Sequence, residues 1–90
     1  MDINEWRKKI DELDARLVEL LNRRAHAAAR IGELKRRDGR PLRQPARERA
    51  ILRRVQFLNR GRLPSRALRR LFQQILREAR AVERRGFSGR

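Results

Sequence analysis

The chain has no cysteine, so disulfides and thiolate metal sites are excluded. Its single histidine, His26, leaves little for a transition-metal centre, and no metal is expected. No apolar run approaches the roughly 20 residues of a membrane span. The opening MDINEWRKKI lacks the apolar core of a secretory signal, so no membrane association and a cytoplasmic location are expected. Aromatic residues are scarce. Trp6, Phe57, Phe72 and Phe87 are the whole set, widely spaced, which makes a poor platform for stacked bases.

Positive charge, by contrast, is abundant. Lys and Arg number 26 against 11 Asp and Glu, for a formal net charge of +15. Such an excess invites a nucleic-acid partner. However, 23 of the 26 cations are Arg, and they spread over every apolar-periodic segment instead of gathering in one tail. Ninety residues make one domain, near the lower end of comfortable independent folding.

Periodicity predicts three helices and no strand. In the first segment, residues 4–37, apolar side chains recur at steps of three and four: Ile3, Trp6, Ile10, Leu13, Leu17, Leu20, Leu21, Ala28, Ile31 and Leu34. Asp2 and Glu5 have capping-box spacing, and Asp38-Gly39 supplies a stop. Arg40-Pro41-Leu42-Arg43-Gln44 reads as a loop, with Pro45 suited to the first position of a second helix. That helix turns Ile51, Leu52, Val55 and Leu58 inward and stops near Asn59-Arg60-Gly61. Pro64-Ser65 opens a third helix whose apolar set is Leu68, Leu71, Phe72, Ile75, Leu76, Ala79 and Val82. Fraying is expected from Arg84, with residues 1–85 forming one helical domain and 86–90 a flexible tail.

Length itself carries information. Residues 4–37 as a helix span roughly 50 Å, whereas a compact globule of this size measures only about 30 Å across. The apolar seam continues over the whole helix, so its excess length calls for a partner. The expected assembly is an intertwined homodimer of three-helix subunits, all-α, with the long helices paired.

Several charges occupy positions where apolar residues belong. The inward seam of the first helix reads Ile3, Arg7, Ile10, Asp14, Leu17, Leu21, Arg24, Ala28, Ile31, Lys35. Glu48 shares a face with Ile51, Leu52 and Val55, and Glu83 shares one with Phe72, Ile75 and Ala79. Ordinary readings exist for most of them. Arg7 near a helix end can snorkel, and Asp14 can pair across a dimer or set register. Lys35 in a last turn and Glu48 in a first turn both suit the helix dipole. Glu83, an anion near a helix C-terminus, has no such explanation, and Arg24 lies mid-helix where snorkelling is hardest. Unpaired charges on buried faces cost several kcal/mol each. Arg7, Arg24, Lys35, Glu48 and Glu83 taken together therefore point to a small anionic ligand held among the helices.

These residues also carry a family resemblance. Trp6-Arg7-Lys8-Lys9-Ile10-Asp11-Glu12-Leu13-Asp14, Leu20-Leu21-Asn22-Arg23-Arg24 and Ile31-Gly32-Glu33-Leu34-Lys35 resemble the first helix of the all-helical chorismate mutases. Arg40-Pro41, Pro45-Ala46-Arg47-Glu48-Arg49 and Leu71-Phe72-Gln73-Gln74-Ile75 resemble the loop and later helices, so the likeness spans residues 3–84. The resemblance implies a dimer with two equivalent, shared active sites, no cofactor, and the rearrangement of chorismate to prephenate in phenylalanine and tyrosine biosynthesis. By position, Arg24 is similar to the arginine that binds a substrate carboxylate within its own subunit. Arg7 resembles the one that reaches into the neighbouring site. Lys35 resembles the lysine at the ether oxygen, Glu48 the acceptor for the ring hydroxyl, and Arg47 an arginine that orders the pocket. Three positions depart from the best-known bacterial pattern. Gln44 replaces an aspartate near the ring hydroxyl, where its backbone N–H can still serve. Ala79 replaces a serine that contacts a carboxylate. Glu83 stands where some members have glutamine and others glutamate, and as a donor to the ether oxygen it must be protonated. The loop at residues 60–63 is one residue shorter.

Two other functions fit the same sequence. One is an Arg-rich helical nucleic-acid-binding module, with steeply salt-dependent affinity and no special role for Glu48 or Glu83. The other is a non-catalytic regulatory or dimerisation domain of an aromatic-biosynthesis enzyme. The resemblance also implies a possible fusion or complex with such an enzyme, namely a phospho-deoxyheptonate aldolase, a prephenate dehydratase or a prephenate dehydrogenase.

Overall fold

The computed structural model describes residues 1–86. The tail expected over residues 86–90 therefore lies, apart from Gly86, outside the described residues, as does Phe87. Three α-helices follow one another: α1 (Ile3–Asp38), α2 (Pro45–Leu58) and α3 (Ser65–Arg85). Among the described residues there is no strand, so the fold is the all-α, three-helix one that the periodicity predicts.

Local chemistry sets the helix ends. At the start of α1 the Asp2 carboxylate accepts from the Glu5 N–H at 2.9 Å, and Glu5 accepts from the Asp2 N–H at 2.9 Å. This reciprocal pair satisfies two donors that an uncapped helix leaves orphaned. At its other end Gly39 takes a left-handed φ of 69°, which costs a side-chain-bearing residue more than glycine. The turn is closed by Gly39 N–H donating to Arg36 O at 3.3 Å and Arg40 N–H to Lys35 O at 2.8 Å. Pro45 opens α2, where a missing N–H costs nothing. Asn59 organises the α2–α3 turn, donating from Nδ2 to Leu63 O at 2.9 Å and accepting from Gly61 N–H at 3.2 Å. The fraying expected from Arg84 does not begin there. α3 stays helical through Arg84 and Arg85, and Gly86 N–H closes its end on Val82 O at 2.9 Å.

α3 is the central element, with α1 and α2 both packed against it. The buried set is small: Ala28, Ala29, Leu52 and Leu76, with Gly32 beside them. Three of these five are Ala or Gly on one stretch of α1, and their lack of bulk lets α3 come close. The approach is tightest at Gly32, where an added Cβ would lie 2.8 Å from Glu83 O and 2.9 Å from Glu83 Cα. Arg36, one turn further along α1, donates from Nη1 to the same Glu83 carbonyl at 2.7 Å. α1 and α3 therefore meet backbone against backbone at Gly32 and Glu83.

The other end of α1 is bare. Residues 1–23 are all exposed, among them Ile3, Trp6, Ile10, Leu13, Leu17 and Leu20, each with more than half of its surface in solvent. The chain measures 54 × 29 × 15 Å, and its radius of gyration is 16.0 Å against about 12 Å for a compact chain of this length. Leu58 and Leu71, expected to turn inward, are 55% and 54% exposed. Their periodicity is right, but within one chain no described element lies over them.

The Gly32 contact yields a prediction. Replacing glycine with alanine inside a helix ordinarily gains about 0.5–1 kcal/mol, but forcing a methyl into backbone atoms costs about 1–3 kcal/mol. Gly32→Ala should therefore lower the thermal midpoint by several degrees. An unchanged or raised midpoint would show that the helices do not meet as described.

Candidate active site

Between the three helices lies a cavity of about 380 Å³. α1 supplies Arg24, Ala27, Ala28, Ile31 and Lys35, and the α1–α2 loop supplies Leu42 and Gln44. α2 contributes Arg47, Glu48 and Ile51, and α3 contributes Leu76, Ala79, Arg80 and Glu83. Six residues singled out from sequence, Arg24, Lys35, Gln44, Arg47, Glu48 and Glu83, are thus neighbours around one space. Arg7 is not among them. It sits on the exposed part of α1, 17 residues before Arg24 and so about 26 Å away along the helix.

Lys35 and Glu83 face each other across the α1–α3 crossing. Lys35 Nζ donates to Glu83 Oε1 at 2.8 Å and to Leu42 O at 2.6 Å. Both side chains are 13% exposed, so solvent screens the pair little. Glu83 lies where the α3 dipole is unfavourable to an anion. The neighbouring Lys35 ammonium, with Arg84 and Arg85 in the same turn, supplies the compensating charge.

Glu48 stands in the first turn of α2, its N–H donating to Gln44 O at 3.1 Å. Both of its carboxylate oxygens accept from Arg80 Nη1, each at 2.8 Å. Arg43 Nη2 is 4.0 Å from Oε1 on a side chain 66% exposed, so it adds little. Gln44 is the N-cap residue of α2, yet its side chain makes no capping bond and is left uncommitted beside the cavity.

Arg80 was missed by the sequence reading. Its signal was present: it follows Leu76 by four residues and precedes Glu83 by three, which places it on the face that carries both. The many arginines of α3 concealed it, because Arg66, Arg69, Arg70, Arg77, Arg84 and Arg85 share its residue type and most face solvent.

The cavity therefore carries four cations, Arg24, Lys35, Arg47 and Arg80, against the two carboxylates of Glu48 and Glu83. Lys35 and Arg80 are engaged by those carboxylates. Arg24 and Arg47 make no hydrogen bond or ion pair with any described residue. Two uncommitted guanidiniums over walls of Ala28, Ile31, Ile51 and Ala79 suit a compact, partly apolar dianion. No Ser, Thr, Cys, Tyr or His lines the space among the described residues. The arrangement is equipped to bind, fold and polarise an anion, with little provision for covalent attack.

Comparison with known proteins agrees with this chemistry. The family model for chorismate mutase type II matches residues 6–84. The bifunctional chorismate mutase/prephenate dehydratase of Neisseria gonorrhoeae is 47% identical over 78 residues, covering 87% of this chain and 21% of that protein. The bifunctional enzyme of the same name from Aquifex aeolicus is 35% identical over 88 residues, covering 93% of this chain and 24% of that protein. The chain thus spans about a fifth to a quarter of the length of these relatives. Among solved structures, chorismate mutase (form II) from Thermus thermophilus superposes with a TM-score of 0.90 at 30% identity, covering 92% of this chain and 94% of that one. With the helix order, the cavity and the sequence match in agreement over nearly its whole length, the chain belongs to the chorismate mutase type II family.

Proposed function

We propose that this chain catalyses the conversion of chorismate to prephenate, a one-step rearrangement within a single dicarboxylate. The observation that carries the reading is the pair of uncommitted arginines, Arg24 and Arg47, in the cavity that also holds Lys35 and Glu83. The reaction needs no nucleophile. Its enolpyruvyl arm must fold over the ring, and cations that hold two carboxylates impose that fold. Arg24 binds one carboxylate and Arg47 orders the pocket beside it. As the C–O bond breaks, negative charge grows on the ether oxygen. Lys35 donates to it, and Glu83 does so when protonated, so both bind the transition state more strongly than the ground state. Glu48 accepts from the ring hydroxyl, and the backbone or side chain of Gln44 lies beside it.

The working form in this reading is a homodimer with shared sites. The exposed apolar stripe from Ile3 to Leu21 supports it, as does an apolar groove of about 210 Å³ between Leu21, Ala25, Ile75 and Val82. Pairing of two α1 helices covers this surface and brings Arg7 of the partner subunit to the second carboxylate. Among the described residues no helix is long and apolar enough to cross a membrane, and the reading places the reaction in the cytoplasm. The relatives' names pair a mutase with a prephenate dehydratase. An enzyme that consumes prephenate is the natural companion of this unit, as a fusion or a complex.

Three outcomes test the reading. Purified protein should deplete chorismate absorbance, and Lys35→Ala should raise the barrier by roughly 3–4 kcal/mol while circular dichroism still reports a helical fold. Near-normal turnover in folded Lys35→Ala would remove Lys35 from the mechanism. Mixing inactive Arg7→Ala with inactive Arg24→Ala should restore part of the activity through hybrid dimers, each with one intact site. No recovery after subunit exchange would contradict shared sites. Glu83→Gln, whose amide donates without taking up a proton, should keep turnover, whereas Glu83→Ala, which removes the donor, should lose it. Equal loss of turnover in folded Glu83→Gln and Glu83→Ala would exclude the donor role.

A further inference from the structure

Arg80 is the one cavity cation to which neither the sequence nor the family resemblance assigns a role. We infer that Arg80 is a positioning residue for the reaction, holding the Glu48 carboxylate in the orientation that receives the substrate's ring hydroxyl. This rests on the mutase reading and adds a residue to its machinery.

Three observations support it. First, the contact is specific. Both Glu48 oxygens accept from the one atom Arg80 Nη1, each at 2.8 Å, so the carboxylate straddles that nitrogen and is centred on it by a charge-assisted contact. Second, the pair is sheltered. The Arg80 and Glu48 side chains are 26% and 19% exposed, well below the exposure of an ordinary surface bridge. The other nearby cation, Arg43, is 4.0 Å away and mostly in solvent, and cannot take over. Third, the position is structurally determined. Leu76, the most deeply buried residue of α3, lies one turn before Arg80, and Glu83, already tied to Lys35, lies one turn after. The base of the Arg80 side chain is therefore held on both sides.

Chemistry explains what the contact does. A carboxylate oxygen has two lone-pair sites, so each Glu48 oxygen can accept from Arg80 and still accept from a hydroxyl. Without Arg80 the Glu48 side chain is free to rotate about its own bonds, and its charge sits in a half-buried site with no close partner. Arg80 also settles the charge count. It offsets the Glu48 carboxylate as Lys35 offsets Glu83, which leaves Arg24 and Arg47 for the charge of the ligand. Ala79, the preceding residue, lines the same wall and offers no hydrogen bond of its own, so Arg80 is the polar group on that part of α3.

The test is a double-mutant cycle read in kcat and KM. Arg80→Met keeps the bulk of the stem and removes the charge and the donors. It should lower kcat/KM roughly 10- to 100-fold, the range for a misplaced reacting-site group. In a Glu48→Ala background the same change should cause no further loss, because Arg80 acts through Glu48. Wild-type kinetics for Arg80→Met, or equal losses in the two backgrounds, would overturn the inference. A stabilising bridge with no part in the site would shift the thermal midpoint and leave kcat/KM of the folded protein alone. Should Arg80→Met fail to fold, Arg80→Gln, which keeps a neutral donor, carries the same comparison. Absence of chorismate turnover by wild-type protein would defeat the underlying reading, whereas an active wild type matched by Arg80→Met defeats only the role of Arg80.

Discussion

The crossing of α1 over α3 at Gly32 governs the geometry of everything around it. Two helix backbones touch there with no side chain between them, the missing Cβ having no room beside Glu83 O. Glu83 is thereby brought against α1, and Lys35, three residues along, reaches its carboxylate at 2.8 Å. Arg36, one turn after Gly32, seals the same contact by donating to the Glu83 carbonyl. A wider crossing would separate Lys35 from Glu83 and pull apart two walls of the cavity. The least functional-looking residue of the segment Ile31-Gly32-Glu33-Leu34-Lys35 therefore sets the distance on which the charged pair depends.

Charge is arranged around that crossing in two tiers. Each carboxylate in the cavity is matched to one cation from another helix, Glu83 to Lys35 and Glu48 to Arg80. Pairing limits the penalty of placing ionised groups in a sheltered site. Among the described residues no buried side-chain polar atom is left without a hydrogen-bond partner. The second tier, Arg24 and Arg47, has no carboxylate of its own. Fixed dipoles and charges that need no rearrangement are the most effective form of transition-state stabilisation. In the proposed reading the paired groups supply that fixity, and the unpaired ones supply affinity for an anion. The net charge of the whole chain says little about this division, because most of its arginines lie outside the cavity.

Much of this architecture was legible in the sequence, for reasons that differ from residue to residue. Helix limits were readable because their causes are local: Asp2 with Glu5, the left-handed Gly39, and Pro45 all act within a few residues. Arg24, Lys35, Glu48 and Glu83 were readable because they interrupt apolar faces. Arg80 interrupts nothing obvious on a helix rich in arginine, and its partner Glu48 lies 32 residues away, so only the folded chain reveals the pair. Gly32 could be seen as a small residue on a long helix, but which atom it makes way for could not. Leu58 and Leu71 followed the apolar period yet remain exposed, because period reports a face and says nothing of what covers it.

The central claim is that these side chains form a binding site for a folded dicarboxylate. Calorimetric titration with a bicyclic ether dicarboxylate, shaped like the transition state of the rearrangement, tests it most directly. The account predicts saturable binding at one ligand per chain, tighter than that of chorismate, and its loss in Arg24→Ala protein that remains helical. Failure of the wild-type protein to bind, or equal binding by Arg24→Ala, would contradict it.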